Sequence, residues 1–201
     1  MRPTVLKRVL FRLFWLATAG AGLFGLSIYQ NNAGATASVP SRWPAGANAS
    51  FDSKRSTLIL FAHPKCPCSR ASVEELNRLQ ARTGGKANVI VYFFKPKGAA
   101  SDWTHTDLWR SAGSVPGVTV REDEDGIQAR LFGAKTSGSA ALYDNCGNLL
   151  FHGGITGARG HIGNNKGEET VVALLAGQPT KLKQTPVFGC ALDNECARPE
   201  P

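Results

Sequence analysis

Acidic residues are missing from the whole run Leu13 to Tyr29, and no other charge interrupts it. Arg2, Lys7, Arg8 and Arg12 lie ahead of that run and supply half of the formal charge of +8. A cationic start followed by an uncharged apolar stretch is the pattern of export or of a signal anchor. Ala35-Thr36-Ala37 fits a small-x-small cleavage site, yet it lies several residues beyond the apolar run. The run is also near the length that spans a bilayer. An uncleaved inner-membrane anchor and a cleaved signal both stand. The first expects a domain facing the periplasm, the second a secreted one. Other absences exclude functions. The remaining charge forms no dense Lys/Arg stripe with interleaved aromatics, so nucleic acid is not an expected partner. No Cys-x-x-Cys-His occurs, which excludes covalent c-type haem attachment. Arg121-Glu122-Asp123-Glu124-Asp125 lacks the calcium-loop spacing with its glycine and distal glutamate, and is expected as a solvated loop.

What is present is thiol chemistry. Five cysteines in an exported chain imply some disulfide chemistry, and an odd count leaves one thiol unpaired or transiently paired. Cys66-Pro67-Cys68 follows the apolar run Thr57 to Ala62 directly. The segment Ser69 to Arg82 has Val73, Leu76 and Leu79 at helical spacing, so the two thiols sit where a buried strand passes into a helix. A helix N-terminus carries partial positive charge and unpaired amides, which favour a thiolate; Lys65 and Arg70 add cationic charge. A disulfide between residues two apart closes a small strained ring, and strain makes it easier to reduce. The pair is therefore expected to act in redox or metal chemistry.

The rest of the chain alternates. Residues 1–30 form the hydrophobic segment, and 31–52, rich in Asn, Ala, Ser, Pro and Gly, read as a linker holding a domain off the membrane. A domain is expected over 53–178 and a Cys-containing tail over 179–201. Within the domain the order is strand (58–62), helix (69–82), strand (87–94), helix (104–112), short strand (118–120), short helix (126–132), a hairpin (139–143 and 148–152) and a closing helix (167–176). Such alternation predicts an α/β mixed sheet flanked by helices, parallel early and antiparallel late.

Three stretches carry a resemblance, over roughly residues 50–178, to the thioredoxin-like superfamily and its exported, membrane-tethered thiol-disulfide oxidoreductases. Leu60-Phe61-Ala62-His63-Pro64-Lys65-Cys66-Pro67-Cys68 resembles the strand-then-dithiol junction. Val115-Pro116-Gly117-Val118, with Asp123 to Gly126 and Arg130 to Gly133, resembles the segment inserted before the last hairpin. Phe132 to Asp144 resembles the approach to the strand that faces the dithiol. Two departures stand out: Lys65 occupies the place of the first cysteine of the family's Cys-x-x-Cys, and Gly138 the place of its cis-proline. The resemblance implies exchange with protein disulfides through Cys66 and Cys68. The partner would be a protein disulfide substrate or a membrane electron donor, with no cofactor. Cys66 is expected to be the more exposed, attacking thiol and Cys68 the resolving one. His63, Pro67, Gly138, Ser139, Arg159 and His161 are expected around the substrate groove.

Each of these has a plainer alternative. His63 can relay protons or bind metal, or be a strand-end imidazole satisfied by backbone. Arg159 can stabilise a thiolate and His161 act as acid/base, or both can lie on a solvated loop. Cys190 and Cys196 can form a structural disulfide, or Cys190 can be a third redox thiol folding back on the pair. Cys146 is expected as an exposed thiol in a hairpin turn. Two other functions compete: a copper(I)-binding metallochaperone using Cys66, Cys68 and His161, and a thiol peroxidase, for which the residue three before each cysteine is wrong (His63, Lys65).

Overall fold

The computed structural model describes residues 3–192, with side chains from Lys7 onward. The chain separates into two units, Met1–Asn32 and Ala33–Pro201. The first is one helix, α1 (Pro3–Asn31), of which Lys7–Asn31 is long and apolar enough to cross a membrane.

The second unit is built on five strands and four helices: β1 (Thr57–Ala62), α2 (Pro67–Thr83), β2 (Asn88–Lys95), α3 (Asp107–Gly113), β3 (Val118–Glu124), α4 (Ile127–Leu131), β4 (Ser139–Tyr143), β5 (Leu149–Gly154) and α5 (Lys166–Leu175). The sheet order is β3-β2-β1-β4-β5. Strand β1 pairs in parallel with β2 and antiparallel with β4, so it lies at the centre. All six of its residues are buried, as its unbroken apolar run requires of a strand covered on both faces. Alternation along it feeds two cores. Leu58, Leu60 and Ala62 pack with Val73, Leu76, Phe93 and Val171, while Ile59 and Phe61 pack with Tyr92, Phe132 and Tyr143. This mixed sheet with helices on both faces is the thioredoxin-like fold.

Two expectations are corrected. The acidic run is no loop: β3 continues through Glu124, in register with β2 as far as Lys95. Asp123 is buried and accepts the amides of Gln128 and Ala129 at 2.7 and 2.9 Å, closing the first turn of α4. Glu122 pairs with Lys95 at 2.8 Å. Alternation along an edge strand thus accounts for charges that composition alone assigns to solvent.

The stretch read as a linker is bound to the domain. The Trp43 ring meets those of Phe132 and Tyr143 edge-on, with centroids at 5.1 and 5.3 Å, and its amide donates to the Gly147 carbonyl at 2.8 Å. Leu149 N–H donates to Ser41, and the Tyr143 hydroxyl to Pro40. The part of the tail that is described docks as well. A strap over 183–192 first covers the open edge of β5, where Gln184 bridges His152 and the Gly154 amide donates to Pro186. It then crosses the loop ahead of β4, burying Val187, Phe188 and Leu192. Cys196 lies outside the described residues.

Two outcomes follow for stability. Trp43→Ala should cost about 2–4 kcal/mol in urea denaturation of the full chain, whereas a solvated linker would lose nothing. Burial holds the His152 imidazole below its ordinary 6.5. That contribution is complete above the unfolded value and is lost as pH falls through the lower folded one, so the melting temperature should drop on acidification below neutrality. In His152→Gln that part of the drop should vanish.

Candidate functional site

Helix α2 begins two residues earlier than its apolar periodicity suggests. Pro67 takes the first helical position, where its fixed φ suits the helix and its missing N–H is not needed. Cys66 is therefore the N-cap, with φ −87° and ψ 118°, and Cys68 lies in the first turn. This reverses the expected exposure. Cys66 is only 4% exposed and Cys68 is the half-buried thiol.

Cys66 is surrounded by polar partners. Its thiol donates to the Cys190 sulfur, 2.9 Å away. Ser69, three positions into the helix, is buried beside it. Burial opposes ionisation of Cys66, but hydrogen bonding with Cys190 and then with Ser69 outweighs it, so the thiol lies below its ordinary 9.0. Cys68 moves the other way. Burial and then the charge of Cys66 push it up, and Arg159 only partly offsets them. The buried sulfur is thus the more acidic of the two.

The hydroxyls behind the thiols form a chain. The Ser69 and Ser137 oxygens are 2.5 Å apart, and the Ser137 oxygen accepts the His63 amide at 2.8 Å. Neither serine is prominent in the sequence. Ser69 has the N3 spacing from its N-cap at which a side chain reaches back, a signal visible once the helix is started at Pro67.

Gly138 explains why no proline stands there. Its φ is +94°, in the region that favours glycine, and its N–H donates to the Phe61 carbonyl at 2.7 Å. A proline would forbid the angle and remove the donor. Ser139 closes the same turn, its hydroxyl donating to Thr136 at 2.6 Å.

His63 is buried with its ring against Phe94 and Trp103, and its Nδ1 accepts the Lys65 amide at 3.2 Å. The Lys65 ammonium stands 4.7 Å over Trp103, which makes that indole a wall of the site. Arg159 bridges the site to the strap: it hydrogen-bonds Cys68 and donates to the Gly189 carbonyl at 2.5 Å. Its loop is tied to α2 by the Gly163 amide, which donates to the buried Glu75 carboxylate at 2.5 Å. His161 is exposed on that loop, its amide turned to Ala158. Among the described residues no three His, Cys, Asp or Glu side chains are grouped to hold a metal ion. An open groove of about 780 Å³ runs along the strap, lined by Asp125, Arg130, Lys135, Thr136, Arg159 and Gly189. Cys146 lies exposed in the turn between β4 and β5.

No protein-family model and no curated protein sequence matches this chain. Solved structures do. An uncharacterized conserved protein from Geobacillus kaustophilus is 18% identical, with a TM-score of 0.63 over 81% of this chain and 96% of its own. A hypothetical protein from Sinorhizobium meliloti is 20% identical, with a TM-score of 0.54 over 82% and 97%. A secreted disulfide oxidoreductase of Mycobacterium tuberculosis is 15% identical, with a TM-score of 0.45 over 71% and 95%. At such identities the first two likenesses show the fold alone.

The hydrogen bond from Ser69 is directly testable. Ser69→Ala should raise the pH at which Cys66 ionises, seen as a shift in the pH profile of iodoacetamide labelling in a Cys68→Ser background. An unmoved profile would show that Ser69 does not support the thiolate.

Proposed function

We propose that this chain is a membrane-tethered thiol-disulfide oxidoreductase of the extracytoplasmic space, acting through Cys66 and the thiols bordering it. The observation that carries the proposal is an acidified thiol at the N-cap of α2, at the strand-helix junction of a thioredoxin-like sheet, with Cys68 in the first turn of that helix. The location rests on the cationic, apolar α1.

The chemistry needs no cofactor. The Cys66 thiolate attacks one sulfur of a protein disulfide, the old bond breaks, and the departing thiolate takes up a proton. A second thiolate of the chain then attacks the Cys66 sulfur and releases the other half of the substrate as a thiol. Two electrons pass from the chain to the substrate, and the chain is left with an internal disulfide. Ser69 and the α2 N-terminus favour the attacking thiolate. Arg159 does the same for Cys68. The groove along the strap, where Arg130, Lys135 and Arg159 outnumber Asp125, offers an approach for a partner segment carrying acidic or backbone carbonyl groups.

In an insulin-reduction assay driven by dithiothreitol, the full chain in detergent should accelerate precipitation. Cys66→Ser should abolish the acceleration and Cys146→Ser should leave it intact. Tight one-to-one copper(I) binding by the reduced chain, with no insulin reduction, would sink this proposal in favour of a metallochaperone.

A further inference from the structure

On the basis of that exchange reading, we propose that the thiol closing the first internal disulfide is Cys190 of the C-terminal strap, rather than Cys68. The two candidates differ in geometry. Cys66 and Cys68 are two residues apart, and a disulfide between them closes a strained ring around Pro67. Cys190 comes from 124 residues away, and its sulfur already stands 2.9 Å from that of Cys66.

That position is fixed by backbone. The Ser137 amide donates to the Cys190 carbonyl at 2.7 Å, the Leu192 amide donates to the Lys135 carbonyl at 2.8 Å, and Thr136 bridges Ala191 in antiparallel fashion. Before the cysteine, the Gly189 carbonyl is gripped by Arg159. Gly189 itself lies so close to the Ser137 carbonyl that a Cβ could not be placed there. Upstream, the strap is paired to β5 and its Val187 carbonyl accepts the Gly34 amide at 2.8 Å. None of these bonds uses the Cys190 side chain, so the thiol is presented to Cys66 by a scaffold independent of it.

In the fully reduced chain the sequence of steps is then definite. The Cys66 thiolate attacks a disulfide R–S–S–R′, forming Cys66–S–S–R and releasing R′ as a thiolate. The Cys190 thiolate attacks the Cys66 sulfur, forming Cys66–S–S–Cys190 and releasing R as a thiolate. Each released thiolate takes up a proton. A dithiol reductant of the compartment returns the pair to thiols by the reverse chemistry. Because Cys66 is almost fully covered, the strap near Cys190 must lift for the first step and return for the second.

The test uses the reduced full chain and oxidised glutathione as the disulfide, with acid quenching, alkylation and fragment-resolved mass spectrometry. A bond joining residues 66 and 190 is expected in the wild type, in Cys68→Ser and in Cys196→Ser. Cys190→Ser, which keeps the backbone bonds of the strap, should accumulate the Cys66–glutathione mixed disulfide. Finding Cys66–Cys68 or Cys190–Cys196 as the first product, with glutathione released from Cys190→Ser at the wild-type rate, would overturn the assignment while leaving exchange intact. A Cys66 that forms no mixed disulfide in any variant would overturn the exchange reading itself, and this assignment with it.

Discussion

Two adjacent amides in the turn ahead of β4 point in opposite directions, and the site depends on that alternation. The Gly138 N–H turns inward to the Phe61 carbonyl at the end of the central strand, while the Ser137 N–H turns outward to the Cys190 carbonyl. One turn thereby fixes the end of β1 and the far end of the strap in a single frame. The positive φ of Gly138 lets both bonds form at once, and the Ser137 hydroxyl is left free to join Ser69 and the His63 amide.

This arrangement joins packing to reactivity. Two cores lock β1 from both faces, so the junction with α2 cannot shift. Pro67 sets the first turn of α2, which places Ser69 where its hydroxyl meets the sulfur. Arg159, held on a loop anchored to Glu75, links the strap to Cys68. The acidity of Cys66 therefore rests on short-range hydrogen bonds, offsetting a burial that alone would suppress ionisation.

Much of the fold was legible in the residues. Apolar runs such as 58–62 and 87–94 were buried strands, and the β-branched and aromatic content of the latter excluded a helix. Glycines 84 and 85 marked the end of α2, as Gly84 confirms with its left-handed φ of 60°. What escaped detection has common causes. The docked segment after Ala33 has the composition of a linker, and only Val39, Trp43 and Phe51 among its residues carry apolar bulk. Asp123 looked solvated because charge outweighed the alternation of a short edge strand. Placing the start of α2 at Ser69 hid both the burial of Cys66 and the function of Ser69 itself. The meeting of Cys66 with Cys190 was one of two alternatives for the tail, and the choice between them turns on a contact between distant parts of the chain, which no local spacing encodes.

The sequence distance between those two sulfurs bears on cohesion as well as on chemistry. A covalent bond there would span 124 residues of chain and enclose β2, β3, β4 and β5, every strand of the sheet except the central β1. Chain-entropy arguments assign loops of that size about 4–5 kcal/mol of relief from the unfolded ensemble, far more than a ring of three residues. Oxidation would then act as a clasp around the domain and reduction as its release. In such a molecule the electron count is also a measure of how tightly the chain is held together.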